Sequence, residues 1–320
     1  MKIVVLDGFT LNPGDLSWDG LRALGEVTVY DRTKKEQIVK RIGDAEVVLT
    51  NKTPLGEVEF AACPSIQYIG VLATGFNVVD VVAAKEAGIV VTNIPTYGTT
   101  AVAQYVFALL LELCHRVGHH AQRVADGAWV TCPDFCFTDY PLIELAGKTM
   151  GIVGLGRIGH TTAVIAQAFG MKVVAFDSYQ NPAWVAEGIS YVTFDELLGV
   201  SDVISLHCPL TKETENLVNK ETLAKMKDGV MLINTSRGPL INEDDLLAAL
   251  QSGKVYGCAM DVLTVEPPTE VSALVKHPHC IVTPHIAWAP KESRLRLLNI
   301  AVENVRVFLA GEKPVNQVNK

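Results

Sequence analysis

The sequence predicts an α/β protein with two doubly wound parallel sheets. Three observations carry the prediction. Apolar runs of strand length alternate with helix-period segments along most of the chain. A glycine-punctuated turn, Gly154-Leu155-Gly156-Arg157-Ile158-Gly159, opens a second such series midway. The chain, 320 residues that are 49% hydrophobic and 19% charged, has room for two domains of ordinary size.

Before the turn, the apolar runs are Ile3–Leu6, Val27–Tyr30, Val47–Thr50, Tyr68–Leu72 and Ile89–Thr92. Helical spacing fills Lys34 to Ile42 ahead of the third run, and Val78 to Ala87, stopped by Gly88, ahead of the fifth. Strands separated by helices imply a parallel sheet with helical cover. At Asn93 to Gly98 the chain turns, with Pro95 and Gly98 as breakers. A long helix is expected from about Thr99 to Val117 or beyond. It is apolar on several faces, as for a helix wedged between two domains or two subunits. His119-His120 near its end point in different directions, which reads as a solvated helix end rather than a pair of metal ligands.

The stretch Thr149 to Asp177 reads as strand, glycine turn, helix, strand, with an acid at the tip of the second strand. Gly154 allows the tight turn, Gly156 keeps side-chain bulk away from a pyrophosphate, and Gly159 lets the helix pack close on its strand. The helix N-terminus offers free N–H groups and partial positive charge to phosphates. Asp177 is placed to accept hydrogen bonds from both hydroxyls of a ribose. A carboxylate there repels a 2′-phosphate, and Ser178 and Tyr179 supply no arginine to hold one, so NAD(H) is favoured over NADP(H).

After Asp177 the strand-length runs are Val203–Leu206, Val230–Asn234 and Val255–Met260, with a shorter one at Ile281–Val282. Asn242 caps a helix running to Leu250 and closed by Gly253. The final segment, Pro290 to Ala310, is one amphipathic helix in which Leu298, Val302, Val305 and Leu309 recur at helical spacing, with no sign of where it packs.

Composition excludes several classes of function. Net charge is −8 and no run of Lys or Arg exceeds the pair Lys34-Lys35, which speaks against nucleic acid and anionic membrane surfaces. The most apolar stretch, Ala101 to Cys114, is too short to span a bilayer and is interrupted by Gln104 and Glu112. MKIVVLDG at the N-terminus reads as a first strand rather than a cleavable signal. Seven cysteines, an odd number scattered through apolar segments, suit reduced thiols in a cytoplasm. Cys132 and Cys136 lack a second ligand pair at metal spacing, so no metal is expected.

In doubly wound sheets, ligands bind beyond the carboxyl ends of the strands. Four chemically capable residues fall there: Arg237 in Ser236-Arg237-Gly238, Asp261 after Val255–Met260, Glu266 in the following loop, and His285 after Thr283-Pro284.

With these motifs the chain resembles the D-isomer-specific 2-hydroxyacid dehydrogenases over almost its full length. The matching segments are VGLGRIG (153–159), LHCPLT (206–211), LINTSRGPLIN (232–242), AMDVLTVEP (259–267) and TPHIAWA (283–289). Within that family it is most similar to the glycerate dehydrogenase/hydroxypyruvate reductase branch, through TNKTPL (50–55), LATGFNVVD (72–80), AVAQYVFALLLEL (101–113) and Trp288.

The resemblance implies a flavodoxin-like substrate domain, residues 1–97 and 290–320, with a Rossmann-type NAD-binding domain, 98–289, inserted in it. It implies NAD(H)-dependent interconversion of a small 2-keto acid and its D-2-hydroxy acid, hydroxypyruvate/D-glycerate or glyoxylate/glycolate foremost. Alternatives are a D-lactate-type or other 2-hydroxyacid dehydrogenase, or an NAD(H)-sensing regulatory protein. Arg237, Glu266 and His285 match the catalytic trio. Arg237 would grip the substrate carboxylate at two points. His285, an imidazole, suits acid–base work near neutral pH, with Glu266 fixing its orientation. Ala73, Thr74 and Gly75 would complete the carboxylate site through backbone N–H groups, and Lys52 is a further substrate contact or an ordinary exposed lysine. Arg157 and Ile158 would meet the pyrophosphate and Asp177 the ribose. Thr235, Ser236 and Arg237 would flank the nicotinamide, with His285 facing it and Asp261 on its carboxamide. His207 and Pro209 would wall the adenosine, unless His207 is simply packed. The helix at 101–120 would serve a homodimer.

Overall fold

The computed structural model describes residues 1–185 and 187–320. The chain divides into two compact units, one of Met1–Gly98 with Trp288–Lys320, the other Thr99–Ala287.

The first unit holds a five-stranded sheet of β1 (Lys2–Val5), β2 (Glu26–Val29), β3 (Val47–Thr50), β4 (Tyr68–Val71) and β5 (Val90–Thr92). All pairings are parallel and the order is β2-β1-β3-β4-β5. Alternation along β1 explains the layers. Ile3 and Val5 point to one face and Val4 and Leu6 to the other, and all four are buried. Val4 and Leu6 pack with Ile38, Ile42 and Phe60. Ile3 and Val5 pack with Leu297, Leu298, Ala301 and Val305 of the terminal helix, Lys291–Leu309. Each fully buried Val, Leu or Ile side chain among them contributes about 1.5–3 kcal/mol. The expected helix from Lys34 is a 3-10 turn, Lys35–Gln37, leading into a short α-helix, Ile38–Ile42.

The second unit holds β6 (Thr149–Val153), β7 (Lys172–Phe176), β8 (Ser190–Tyr191), β9 (Val203–Leu206), β10 (Val230–Asn234), β11 (Val255–Met260) and β12 (Cys280–Val282). Its strands are also all parallel, in the order β12-β11-β10-β9-β6-β7-β8. The direction of winding reverses between β6 and β9, so the two chains leaving those strands part there and leave a crevice. β8, two residues long, gave no apolar run to read.

The long helix Thr99–His115 buries Val106, Phe107, Leu109, Leu110 and Leu113 against Met150, Ile152 and Val173 of this second sheet. Its apolar breadth is thus partly used within the unit. Phe107 also stacks on Phe169, ring centroids 5.2 Å apart. The helix stops where Arg116 takes a left-handed φ of 49°, and a second helix, Val117–Ala125, leaves at a bend of 56°. There His119 Nε2 lies 2.7 Å from Asp139 Oδ2, and His120 Nε2 accepts the Asp139 N–H. The two histidines therefore pin the loop at Asp139 rather than simply fraying into water. Among the described residues no single helix is long and apolar enough to cross a membrane, and no group of three or more metal-ligating side chains forms. All seven cysteines are free.

Candidate active site

The glycine turn follows β6, whose residues Met150, Ile152 and Val153 are buried, so the turn emerges at the carboxyl edge of the second sheet. Gly154 has φ +92°, and a Cβ there would lie 2.5 Å from the backbone N of Cys208, which only glycine tolerates. Gly156 is the N-cap of the helix Arg157–Ala168. A Cβ built on Gly156 meets nothing within 4 Å, so the space above the helix N-terminus is open. Arg157 is exposed and Ile158 half-buried in the first helical turn. Asp177, directly after β7, reaches back to this turn: Oδ2 accepts the Leu155 N–H at 2.6 Å, and Oδ1 accepts the Tyr179 N–H at 3.0 Å.

Beyond β9, His207 is held by desolvation as a neutral ring, its pKa pushed down to about 4. Its Nε2 lies 2.9 Å from Ser205 Oγ. This favours a packed, uncharged histidine bordering the crevice. Pro209 nearby is exposed. Burial pushes the Cys208 thiol up to about 11, with the Asp177 carboxylate adding to the shift, so Cys208 is no nucleophile.

The four strand-end residues come together at β10, β11 and β12, which are neighbours in the sheet. Asn234, fully buried at the end of β10, accepts the Ser236 N–H at 3.0 Å and donates to the Arg237 carbonyl at 2.8 Å. It thereby shapes the turn that projects the exposed Arg237, whose Nη1 also donates to the Ser236 carbonyl. Ser236 Oγ donates to the Leu206 carbonyl at 2.8 Å. Beside Arg237, Gly238 is closed over by the loop after β11: a Cβ there would collide with the backbone of Leu263 and Thr264. In that loop Glu266 Oε1 accepts the Leu263 N–H at 3.0 Å, while Oε2 lies 2.6 Å from His285 Nδ1. Arg237, Glu266 and His285 thus belong to interlocked loops at one edge. Each of the last two side chains remains about one-third exposed, Glu266 at 35% and His285 at 34%, within reach of a ligand.

Asp261 behaves differently from the other three. Only 1% exposed, it accepts from Thr283 Oγ1, Ile286 N–H and Ala287 N–H at 2.6, 2.9 and 2.7 Å.

The chemistry of this edge fits a dinucleotide. The open space above Gly156 would admit a pyrophosphate, and the helix N–H groups there would hold it. Thr235 Oγ1 is buried without a hydrogen-bond partner, an omission that a polar ligand would repair.

The residues expected on the substrate side lie in the first unit, at the carboxyl ends of β3 and β4. Asp7, at the end of β1, accepts the backbone N–H groups of Asn51, Lys52 and Thr53 at 2.7, 2.6 and 2.8 Å, fixing the loop that carries the exposed Lys52. Next to it, the loop Ala73-Thr74-Gly75 is tied down by Thr74 Oγ1 donating to the Ile94 carbonyl and by Asn93 Nδ2 donating to the Thr74 carbonyl. Sequence reasoning missed Asp7 and Asn234. Their only signal was a polar residue at the end of an apolar run.

Residues 107–287 match the model of the D-isomer specific 2-hydroxyacid dehydrogenase NAD binding domain. A hydroxypyruvate reductase of Blautia hydrogenotrophica is 61% identical, the alignment covering 100% of both chains. A glycerate dehydrogenase of Methylorubrum extorquens is 42% identical over 92% of each. Among solved structures, D-lactate dehydrogenase with NAD+ from Lactobacillus jensenii matches with a TM-score of 0.84 at 29% identity, covering 100% of both.

Proposed function

Because the chain belongs to the D-isomer-specific 2-hydroxyacid dehydrogenases, NAD(H)-dependent enzymes that interconvert 2-keto and 2-hydroxy acids, we propose that it reduces hydroxypyruvate to D-glycerate. The observation that carries the proposal is the Glu266–His285 hydrogen bond set beside the loop of Arg237. Glyoxylate, a smaller 2-keto acid with the same carboxylate, is the second substrate expected.

Arg237 presents a planar fork of N–H donors that binds a carboxylate at two points and draws charge toward the adjacent keto oxygen. Glu266 accepts a hydrogen bond from the His285 Nδ1–H, which turns Nε2 toward the ligand. Nε2–H then donates to the keto oxygen and gives it a proton as the carbonyl is reduced; the same atom accepts that proton in the reverse direction. The bound nicotinamide supplies the hydride. Gly154, Gly156, Arg157, Ile158 and Gly159 would hold its pyrophosphate and Asp177 the ribose. Thr235 and Ser236 would flank the nicotinamide, and His207 and Pro209 would border the adenosine. We assign Ala73, Thr74 and Gly75 to the substrate carboxylate and Lys52 to an accessory contact. On this proposal residues 1–97 and 290–320 serve as the substrate domain and 98–289 as the NAD-binding domain.

NADH is preferred over NADPH, because Asp177 sets a negative charge where the extra phosphate would lie. The enzyme works as a cytoplasmic homodimer. Exposed Trp129, Val130, Phe135 and Leu142, all in the segment after the Arg116 bend, offer the apolar surface a second copy would cover. Seven free thiols agree with a reducing compartment.

Mixing the protein with NADH and hydroxypyruvate should oxidise the cofactor, as followed by its near-ultraviolet absorbance. Silence across hydroxypyruvate, glyoxylate, pyruvate and longer 2-keto acids would end the proposal.

A further inference from the structure

His285 sits in a backbone conformation that needs holding. Its φ is +55°, in the left-handed region, and its N–H donates to the Thr283 carbonyl two residues back at 3.0 Å. A side-chain-bearing residue there costs on the order of 1–2 kcal/mol, so the loop relaxes unless its flanks are tied. Asp261 ties both flanks. Its Oδ1 accepts Thr283 Oγ1 before the histidine and the Ile286 N–H after it, while Oδ2 accepts the Ala287 N–H. A second link, the Thr283 N–H to the Met260 carbonyl at 2.9 Å, aligns the two strand ends. A carboxylate is the one small side chain able to accept all three, since its oxygens carry four acceptor sites and no donor. At 1% exposure it has no water to compete for them.

We propose that Asp261 is a positioning residue for His285: it clamps residues 283–287 in the conformation that aims the imidazole at the substrate. The proposal rests on His285 being the proton donor of the reaction put forward above. It goes beyond the role of nicotinamide-carboxamide ligand that the resemblance implies. Three acceptor sites of Asp261 are already committed to the protein, leaving one on Oδ2.

Asp261→Asn tests it. The side chain keeps its size, but one oxygen becomes an NH2 group that faces backbone N–H donors. Amide hydrogen exchange of Ile286 and Ala287 in the cofactor-free protein should quicken about tenfold or more. At saturating NADH, kcat should fall about tenfold to a hundredfold, with the KM for hydroxypyruvate within about threefold, because Arg237 is untouched. Wild-type exchange at those two amides, or a kcat within about twofold of wild type, would overturn the proposal. A change confined to a weaker NADH dissociation constant would assign Asp261 to the cofactor alone and overturn it too.

Should Asp261→Asn fail to fold, Thr283→Val removes one of the three donors at constant shape. It should lower kcat about threefold to tenfold without altering NADH binding, and an unchanged kcat counts against the clamp. If the wild-type protein turns over no 2-keto acid, the activity proposed above falls, while the exchange measurement still decides whether Asp261 holds the loop.

Discussion

Glu266 Oε2 lies 2.6 Å from His285 Nδ1, joining two residues nineteen positions apart across the ends of neighbouring strands. Glu266 is itself anchored, since its other oxygen accepts the Leu263 N–H. The pair is therefore a bracket with one fixed arm, and the imidazole has one preferred orientation.

Replacing Glu266 by Gln tests that bracket. The amide keeps the volume but can present N–H to Nδ1, which selects the wrong ring tautomer. We expect kcat/KM for hydroxypyruvate to fall about 10²- to 10⁴-fold, while NADH binding, followed by fluorescence, stays near wild type. Retention of full kcat/KM would show that Glu266 does not orient the histidine.

Asp177 should set the choice of cofactor. Asp177→Ser removes the charge that opposes a 2′-phosphate and a pair of acceptors for the ribose. The kcat/KM with NADH should drop about tenfold, and that with NADPH should rise, narrowing the ratio between them. A ratio unchanged from wild type would locate the discrimination elsewhere.

Gly238 is a structural key to the catalytic edge. An added methyl meets the backbone of Leu263 and Thr264, which cannot swing aside as a side chain would. Gly238→Ala should therefore displace the Arg237 loop from the Glu266 loop. We expect a loss of about 1–3 kcal/mol in denaturant unfolding together with a large fall in kcat. A variant with the wild-type midpoint and kcat would mean the two loops are not packed as described.

Acid stability should report the half-buried His207. In the unfolded chain its imidazole binds a proton near its ordinary value of 6.5, whereas in the fold it does so only near about 4. Between those values the unfolded chain carries the proton and the fold does not. Stability from this site is thus complete above the higher value and drains as pH falls toward the lower one, by on the order of 3 kcal/mol in all. His279, lowered chiefly by burial and next by Arg116, acts in the same direction. Thermal melts of wild type and His207→Asn across that range should diverge, the variant showing the flatter dependence. Parallel curves would indicate that His207 is solvated.

Much of this protein is legible from its residues in order, because the relevant physics is local. Val47–Thr50, Val203–Leu206, Val230–Asn234 and Val255–Met260 form strands with the limits their apolar runs imply. Asn242 caps its helix by accepting the Asp245 N–H. Gly154 and Gly156 mark the turn and Asp177 the acid that faces it, since turn, helix and strand tip lie within one continuous segment.

What local pattern could not supply depends on which distant segments become neighbours. The terminal helix has an apolar stripe, yet only the fold lays Leu297 and Val305 against Ile3 and Val5. Asp7 and Asn234 are single polar residues at strand ends, indistinguishable in the sequence from ordinary loop acids and amides, and Asp261, a candidate from its position, showed no sign there of its bonds to residues 283, 286 and 287. Their roles arise because parallel strands bring several carboxyl ends to one edge, where one buried side chain can accept from loops many residues away. Composition and period thus determined the sheets and the glycine turn, while the class of chemistry came from the resemblance of whole motifs to a family. The setting of His285 was decided by tertiary structure, because its bond to Glu266, and those that Asp261 accepts from Thr283, Ile286 and Ala287, exist only once β11 and β12 lie side by side.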